Sequence, residues 1–120
     1  MQRLSFSAGL VVVLCLSDTA YSQTNCTAAN IKVEQFRAQN EGSITTSILG
    51  VLLNGCNVPT GPQIKVTFYD QAGTILRVED MWPASINNIP PKSYFPFQVR
   101  LNRVEGFSWA EVRVITTKTW

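Results

Sequence analysis

The feature that most constrains this chain is a hydrophobic alternation of period two. In "QIKVTFY", Ile64, Val66 and Phe68 fall on one side, while Lys65, Thr67 and Tyr69 fall on the other. In "YFPFQVRL", Phe95, Phe97, Val99 and Leu101 alternate with Tyr94, Pro96, Gln98 and Arg100. In "AEVRVITT", Ala110, Val112, Val114 and Thr116 alternate with Glu111, Arg113 and Ile115. A helix would scatter such a set around its axis, whereas a half-buried strand gathers it on one face. The joints between runs, "NEGS", "GCNVPTGP", "DQAG", "PASINNIPPKS" and "NRVEG", are built from turn residues. Strands separated by turns predict an all-β antiparallel sandwich of about six to seven strands. Within it "SILGVLL", apolar on both faces, reads as a central strand, with Gly50 marking a bulge or a close backbone approach. Pro96 lacks the donor a central strand needs, so its strand is expected at an edge or with a bulge.

The first residues read differently. A short basic start, "MQR", precedes the apolar run Leu4–Leu16, and the small residues Ala20 and Ser22 sit where a signal peptidase reads. Residues 1–22 are therefore expected to be a cleaved signal peptide, 23–30 a lead-in, and 31–120 the domain. The rival is a retained anchor, but a span needs about 20 apolar residues. Cleavage would remove Arg3 and Asp18 and leave the net charge at +2. That charge suits solubility and shows no basic cluster of the kind that binds nucleic acid. The expected location is the periplasm or the exterior, with no stable membrane span after cleavage.

Export makes the cysteines informative. Without Cys15, two remain, Cys26 and Cys56, and an even pair in an exported chain points to a disulfide. Cys26 precedes the first predicted strand and Cys56 follows the second. If those strands form an antiparallel hairpin, the two residues meet at one end of it. Two cysteines in a chain without histidine make a poor zinc set.

The phrase "FYDQAGT" joins two strands. Asp70 suits the first position of a type I turn, and Gly73 stands where a left-handed conformation is needed. As a catalytic carboxylate Asp70 would need a partner within reach, and the nearest acids, Glu79 and Asp80, lie on the next strand. No calcium-loop spacing surrounds it. Taken with "NG" (Asn54, Gly55), "NIPPKSYFPFQVRL" and "WAEVRVITT", the segment "VTFYDQAGTIL" resembles the FxLYD domain family. Where the family reads Phe-x-Leu-Tyr-Asp, this chain has Val66-Thr67-Phe68-Tyr69-Asp70. Where it reads Pro-Gly-x-x-x-Phe, this chain has Pro91-Lys92-Ser93-Tyr94-Phe95-Pro96-Phe97, with Lys92 in place of the glycine. The resemblance covers Ile31 to Thr117 and implies an immunoglobulin-like, extracytoplasmic module of the bacterial envelope. It implies no reaction, and Tyr69, Asp70 and Gly73 become a hairpin signature.

Little else in the sequence speaks for catalysis. The absence of histidine removes Ser–His and Cys–His nucleophile pairs. No catalytic residue, cofactor or metal site is expected, and the chain is not read as an enzyme. Asn25-Cys26-Thr27 matches the N-glycosylation pattern, relevant only on a eukaryotic secretory route. The large aromatics read first as packing groups, with Trp82 closing the end of the sandwich and Trp109 filling its core. The competing reading makes Trp82 and Tyr94 an exposed contact surface. The expectation is a non-catalytic accessory or binding module acting on an envelope or extracellular protein through its surface or edge strands. The alternative is a structural envelope component that works by oligomeric assembly.

Overall fold

Six strands occupy most of the chain from Cys26 to Trp120, the residues that a computed structural model describes. The expected signal segment, Cys15 and Asn25 lie outside the described residues. A 3-10 turn, Ala28–Asn30, leads into β1 (Ile31–Glu41). Then follow β2 (Thr45–Asn54), β3 (Gly61–Tyr69), β4 (Ile75–Met81), β5 (Tyr94–Asn102) and β6 (Trp109–Lys118). They form two three-stranded sheets, ordered β1-β2-β5 and β4-β3-β6, with every pairing antiparallel. β2 and β3 are the central strands, as their nearly unbroken burial requires.

The alternation read from the sequence sorts the core. Ile48 and Leu52 of one sheet and Ile64, Val66 and Phe68 of the other are fully buried in one cluster with Phe97. Ala84, Ile89 and Val104 reach it from the loops. The ring of Phe107 meets Phe68 edge-on at 5.1 Å between centroids. Between the sheets, the backbones of β1 and β6 run near each other.

Two features marked in the sequence have physical explanations. β5 pairs only with β2, so Pro96 sits on an edge strand where its missing donor costs no ladder bond. Gly50 lies opposite Phe97, and a Cβ there would stand 2.9 Å from that ring. Gly50 is thus a close-approach glycine; the bulge belongs to the facing strand, between Glu34 and Arg37.

Two expectations fail. The register of β6 against β3 slips between Gln63 and Ile64, which makes Ile115 the extra residue. Thr116, expected inward, is therefore exposed, and Thr117 takes the half-buried place. Trp109, expected in the core, lies outside with 45% of its surface exposed. Its strand places Ala110, Val112 and Val114 inward, so parity sends Trp109 out.

The disulfide forms as the hairpin argument requires. β1 and β2 pair with Ile31 opposite Asn54, and just beyond those ends Cys26 is bonded to Cys56 with Cα atoms 5.4 Å apart. Closing a loop of this separation stabilises the fold by about 3.5 kcal/mol in the chain-entropy account.

Candidate functional site

The β3–β4 hairpin is built by Asp70. Its carboxylate accepts the backbone N–H groups of Ala72 and Thr74, both at 2.9 Å. The N–H of Gly73 donates to the carbonyl of Asp70 at 3.0 Å, which closes the turn. Gly73 has φ +89°, a conformation that only glycine adopts cheaply. A single carboxylate oxygen of Asp70, Oδ1, thus accepts both N–H groups, the local bonding that an aspartate supplies at the first position of such a turn.

Tyr69, next to it, points outward and begins a different feature. Its ring stacks on Trp109 at 5.1 Å with 16° between planes, and its hydroxyl donates to Glu111 at 2.9 Å. That bond, with the charge of Glu111 adding to it, holds the phenol above its ordinary pKa. Tyr69 lies opposite Ile75 on one side and Trp109 on the other. An apolar row thus crosses all three strands of this sheet near the hairpin. The next row is Val78–Thr67–Glu111, and the one beyond is Asp80–Lys65–Arg113. The outer face therefore runs from apolar at the hairpin to charged at the far end. Lys65, Thr67, Tyr69, Glu111 and Arg113 line a shallow groove along it.

β4 carries the least expected pattern. Arg77, Glu79 and Met81 lie opposite Phe68, Val66 and Ile64 and share their inner face, whereas Val78 lies on the outer one. The guanidinium of Arg77 donates to the carbonyls of Asn102 and Arg103 at 2.8 and 3.2 Å, tying β4 to the end of β5. Charged side chains inward and Ile75, Leu76 and Val78 exposed by 42–56% invert the usual arrangement. Glu79 and Asp80 face opposite ways, as neighbours on a strand must.

The other residues marked in the sequence are dispersed. Trp82 is half-buried and packs edge-on against Trp120 at 5.5 Å, with the Lys118 ammonium 4.0 Å from the Trp120 ring centre. Its partner is the chain's own C-terminal residue, held further by two hydrogen bonds to Asn88. Tyr94 opens β5, 61% exposed and opposite Leu53. Trp82 and Tyr94 thus sit in separate settings, and Tyr69 with Trp109 forms the stacked aromatic pair. Glu111 accepts from Tyr69, and Arg103 holds Glu105 at 2.6 Å.

Asn54 is the buried group whose role the sequence did not announce. Its amide donates to the carbonyls of Ile89 and Val58 at 2.8 and 3.0 Å, and its oxygen accepts the N–H of Cys56 at 2.9 Å. Its backbone bonds to Ser93 and Lys92. One side chain therefore fastens two loops to the end of β2. The turn residues of "NG" were visible, but the convergence of loops far apart in sequence was not.

Among the described residues, no three His, Cys, Asp or Glu side chains come together as a metal site. No helix among them is long and apolar enough to cross a membrane. Compared with known protein families, characterised proteins and solved structures, the chain matches none.

Proposed function

We propose that this chain is an exported, non-catalytic binding module, an immunoglobulin-like sandwich of the FxLYD type. It works through the outer face and free edge of the β4-β3-β6 sheet. The observation that carries this reading is the contiguous exposed surface of Ile75, Leu76, Val78 and Trp109, with Tyr69 stacked among them. Exposed aromatic and aliphatic groups held on strands concentrate contact energy at little backbone ordering cost. Tyr94 is a lesser contact point on the other sheet.

Three observations support the fold type and compartment. The two-sheet strand order passes from β2 to β3 and from β4 to β5 between layers, as Greek-key sandwiches do. Lys92, which replaces the glycine of the resembled pattern, has φ +60°, in the region that favours glycine. The Cys26–Cys56 bridge suits an oxidising compartment.

The test uses the full-length chain expressed with its own N-terminus. Terminal sequencing of the exported protein should begin at Gln23; retention of residues 1–22 would sink the export reading. A photoreactive side chain at Val78 should yield a discrete adduct, while one at the exposed Glu105 should not. Equal labelling from both positions, or none from Val78, would remove this face from consideration.

A further inference from the structure

Each sheet has two outer strands, and three of these four are obstructed. β5 carries Pro96, which offers no donor. β1 is bulged between Glu34 and Arg37, and β6 is bulged at Ile115; these two also lie against each other. β4 differs. It pairs only with β3, and after its early bulge it runs regularly from Arg77 to Met81. Its outer backbone edge has no strand beside it among the described residues. Exposed edges with apolar side chains are templates for strand pairing.

The residues along that edge specify what pairs with it. We propose that β4 joins β4 of a second copy, antiparallel about a two-fold axis at Val78. In that register Arg77 faces Glu79 of the partner subunit, and the two-fold repeats the pair as Glu79 against the partner's Arg77. Val78 then meets the partner's Val78 on the outer face, and Ile75, on the far side of the bulge, lies outside the paired run. Moving the axis by one residue sets Arg77 against its own copy or Glu79 against its own copy, and either juxtaposition of like charges is unfavourable. The sequence Arg77-Val78-Glu79 is complementary to itself in one register. This is the isologous contact that closes a dimer without propagating. It would merge two three-stranded sheets into one of six strands and bring the two apolar outer surfaces together.

Charges at an edge ordinarily discourage pairing, since a chance partner leaves them opposed or uncovered. Here they select the partner. Arg77 and Glu79 are each about one-third exposed and 3.8 Å apart within one chain, so both retain surface for a second ion pair. The inference rests on the binding surface proposed above and names its occupant.

Cross-linking tests the register directly. Antiparallel residues facing each other across an axis have Cα atoms about 4.5–5.5 Å apart, within disulfide range. Val78→Cys should therefore give a covalent dimer on mild oxidation. Asp80→Cys should not, because its two copies would stand about 13 Å apart along the strands. Both sites are exposed, so neither change threatens folding. Sedimentation equilibrium should show a dimer of the unmodified chain that weakens with salt. Glu79→Arg and Arg77→Glu should each weaken it by about tenfold, and mixing the two variants should restore association as a heterodimer. Equal cross-linking of the two cysteine variants would overturn the pairing. So would a monomer at every concentration, or a dimer indifferent to Glu79→Arg. If the chain stays monomeric while Val78 still labels another protein, self-pairing fails and the binding-surface reading stands.

Discussion

Replacing Asn54 with Ala should be among the most damaging single changes available outside the apolar core. Asn54 is fully buried and its side chain makes three well-formed hydrogen bonds. The cost can be apportioned by asking which partner is left with nothing. The carbonyl of Ile89 still accepts the N–H of Thr60 at 3.1 Å, and the carbonyl of Val58 still accepts the Thr60 hydroxyl at 3.1 Å. Losing those two amide bonds therefore costs about 1 kcal/mol each. The N–H of Cys56 loses its side-chain acceptor, and a buried donor left unpaired costs about 1–3 kcal/mol. The sum is about 3–5 kcal/mol, a large part of the ~5–15 kcal/mol that holds a domain together. Urea denaturation of the oxidised protein, followed by tryptophan fluorescence, should show the midpoint fall with little change in slope. Asn54→Asp keeps the Cys56 contact but turns a carboxylate oxygen toward carbonyls, so it should be worse near neutral pH and recover partly on acidification. The exposed turn variant Gln71→Ala should change stability by less than about 0.5 kcal/mol. A loss below about 1 kcal/mol for Asn54→Ala would refute the view that this amide fastens the loops.

Three further outcomes follow from the same geometry. Reducing the Cys26–Cys56 bridge should lower stability by about 2–5 kcal/mol in chemical denaturation, with β1 and its lead-in losing amide-exchange protection first; an unchanged midpoint would contradict the loop-closure argument. Gly50→Ala should cost about 1–3 kcal/mol because its Cβ meets the Phe97 ring, and Phe97→Leu in the same chain should return part of that loss. Tyr69 has its folded-state pKa raised by Glu111, so its contribution is intact below the unfolded value of 10.0 and is lost as pH rises through the folded one. Denaturation midpoints should therefore fall across that alkaline range, and Tyr69→Phe should flatten the fall; an equally steep decline in the variant would exclude this pair as its source.

The strands and the disulfide were legible because they depend on local alternation and on the ends of one hairpin. Tyr69 and Asp70 were legible for a similar reason: a turn with a glycine three residues on is a short-range signal. Trp109 shows how a correct pattern can be overruled by a wrong prior. The alternation through Ala110, Val112 and Val114 already sends it outward, but its size suggests burial. Thr116 was misplaced because one bulge reverses every later side chain, and nothing in "VRVITT" marks the extra residue. β4 was illegible as a site for a different reason. Its inward charges make sense only once Arg77 is seen to reach the carbonyls of Asn102 and Arg103, and the freedom of its edge depends on the order of strands in the sheet.

Lys92 offers a test in which backbone conformation and sequence pattern meet. At φ +60° a non-glycine residue bears about 1–2 kcal/mol of steric cost. Lys92→Gly removes that cost but adds about 0.4–1 kcal/mol of unfolded-chain entropy. It also forfeits the exposed bond from Nζ to the carbonyl of Gly55 at 2.7 Å, worth about 0.5 kcal/mol. These contributions nearly cancel, so Lys92→Gly should change stability by less than about 1 kcal/mol in either direction. Lys92→Val loses the same bond and gains no relief, since branching at Cβ makes the left-handed region harder to occupy. It should be less stable than Lys92→Gly by more than about 1 kcal/mol. In an extended backbone the order would reverse, because valine favours strands and glycine weakens them. The ranking of these two variants in thermal denaturation thus reports the conformation at one residue. Valine above glycine would remove the left-handed turn, and with it the physical reason for likening Pro91-Lys92 to the Pro-Gly of the FxLYD pattern.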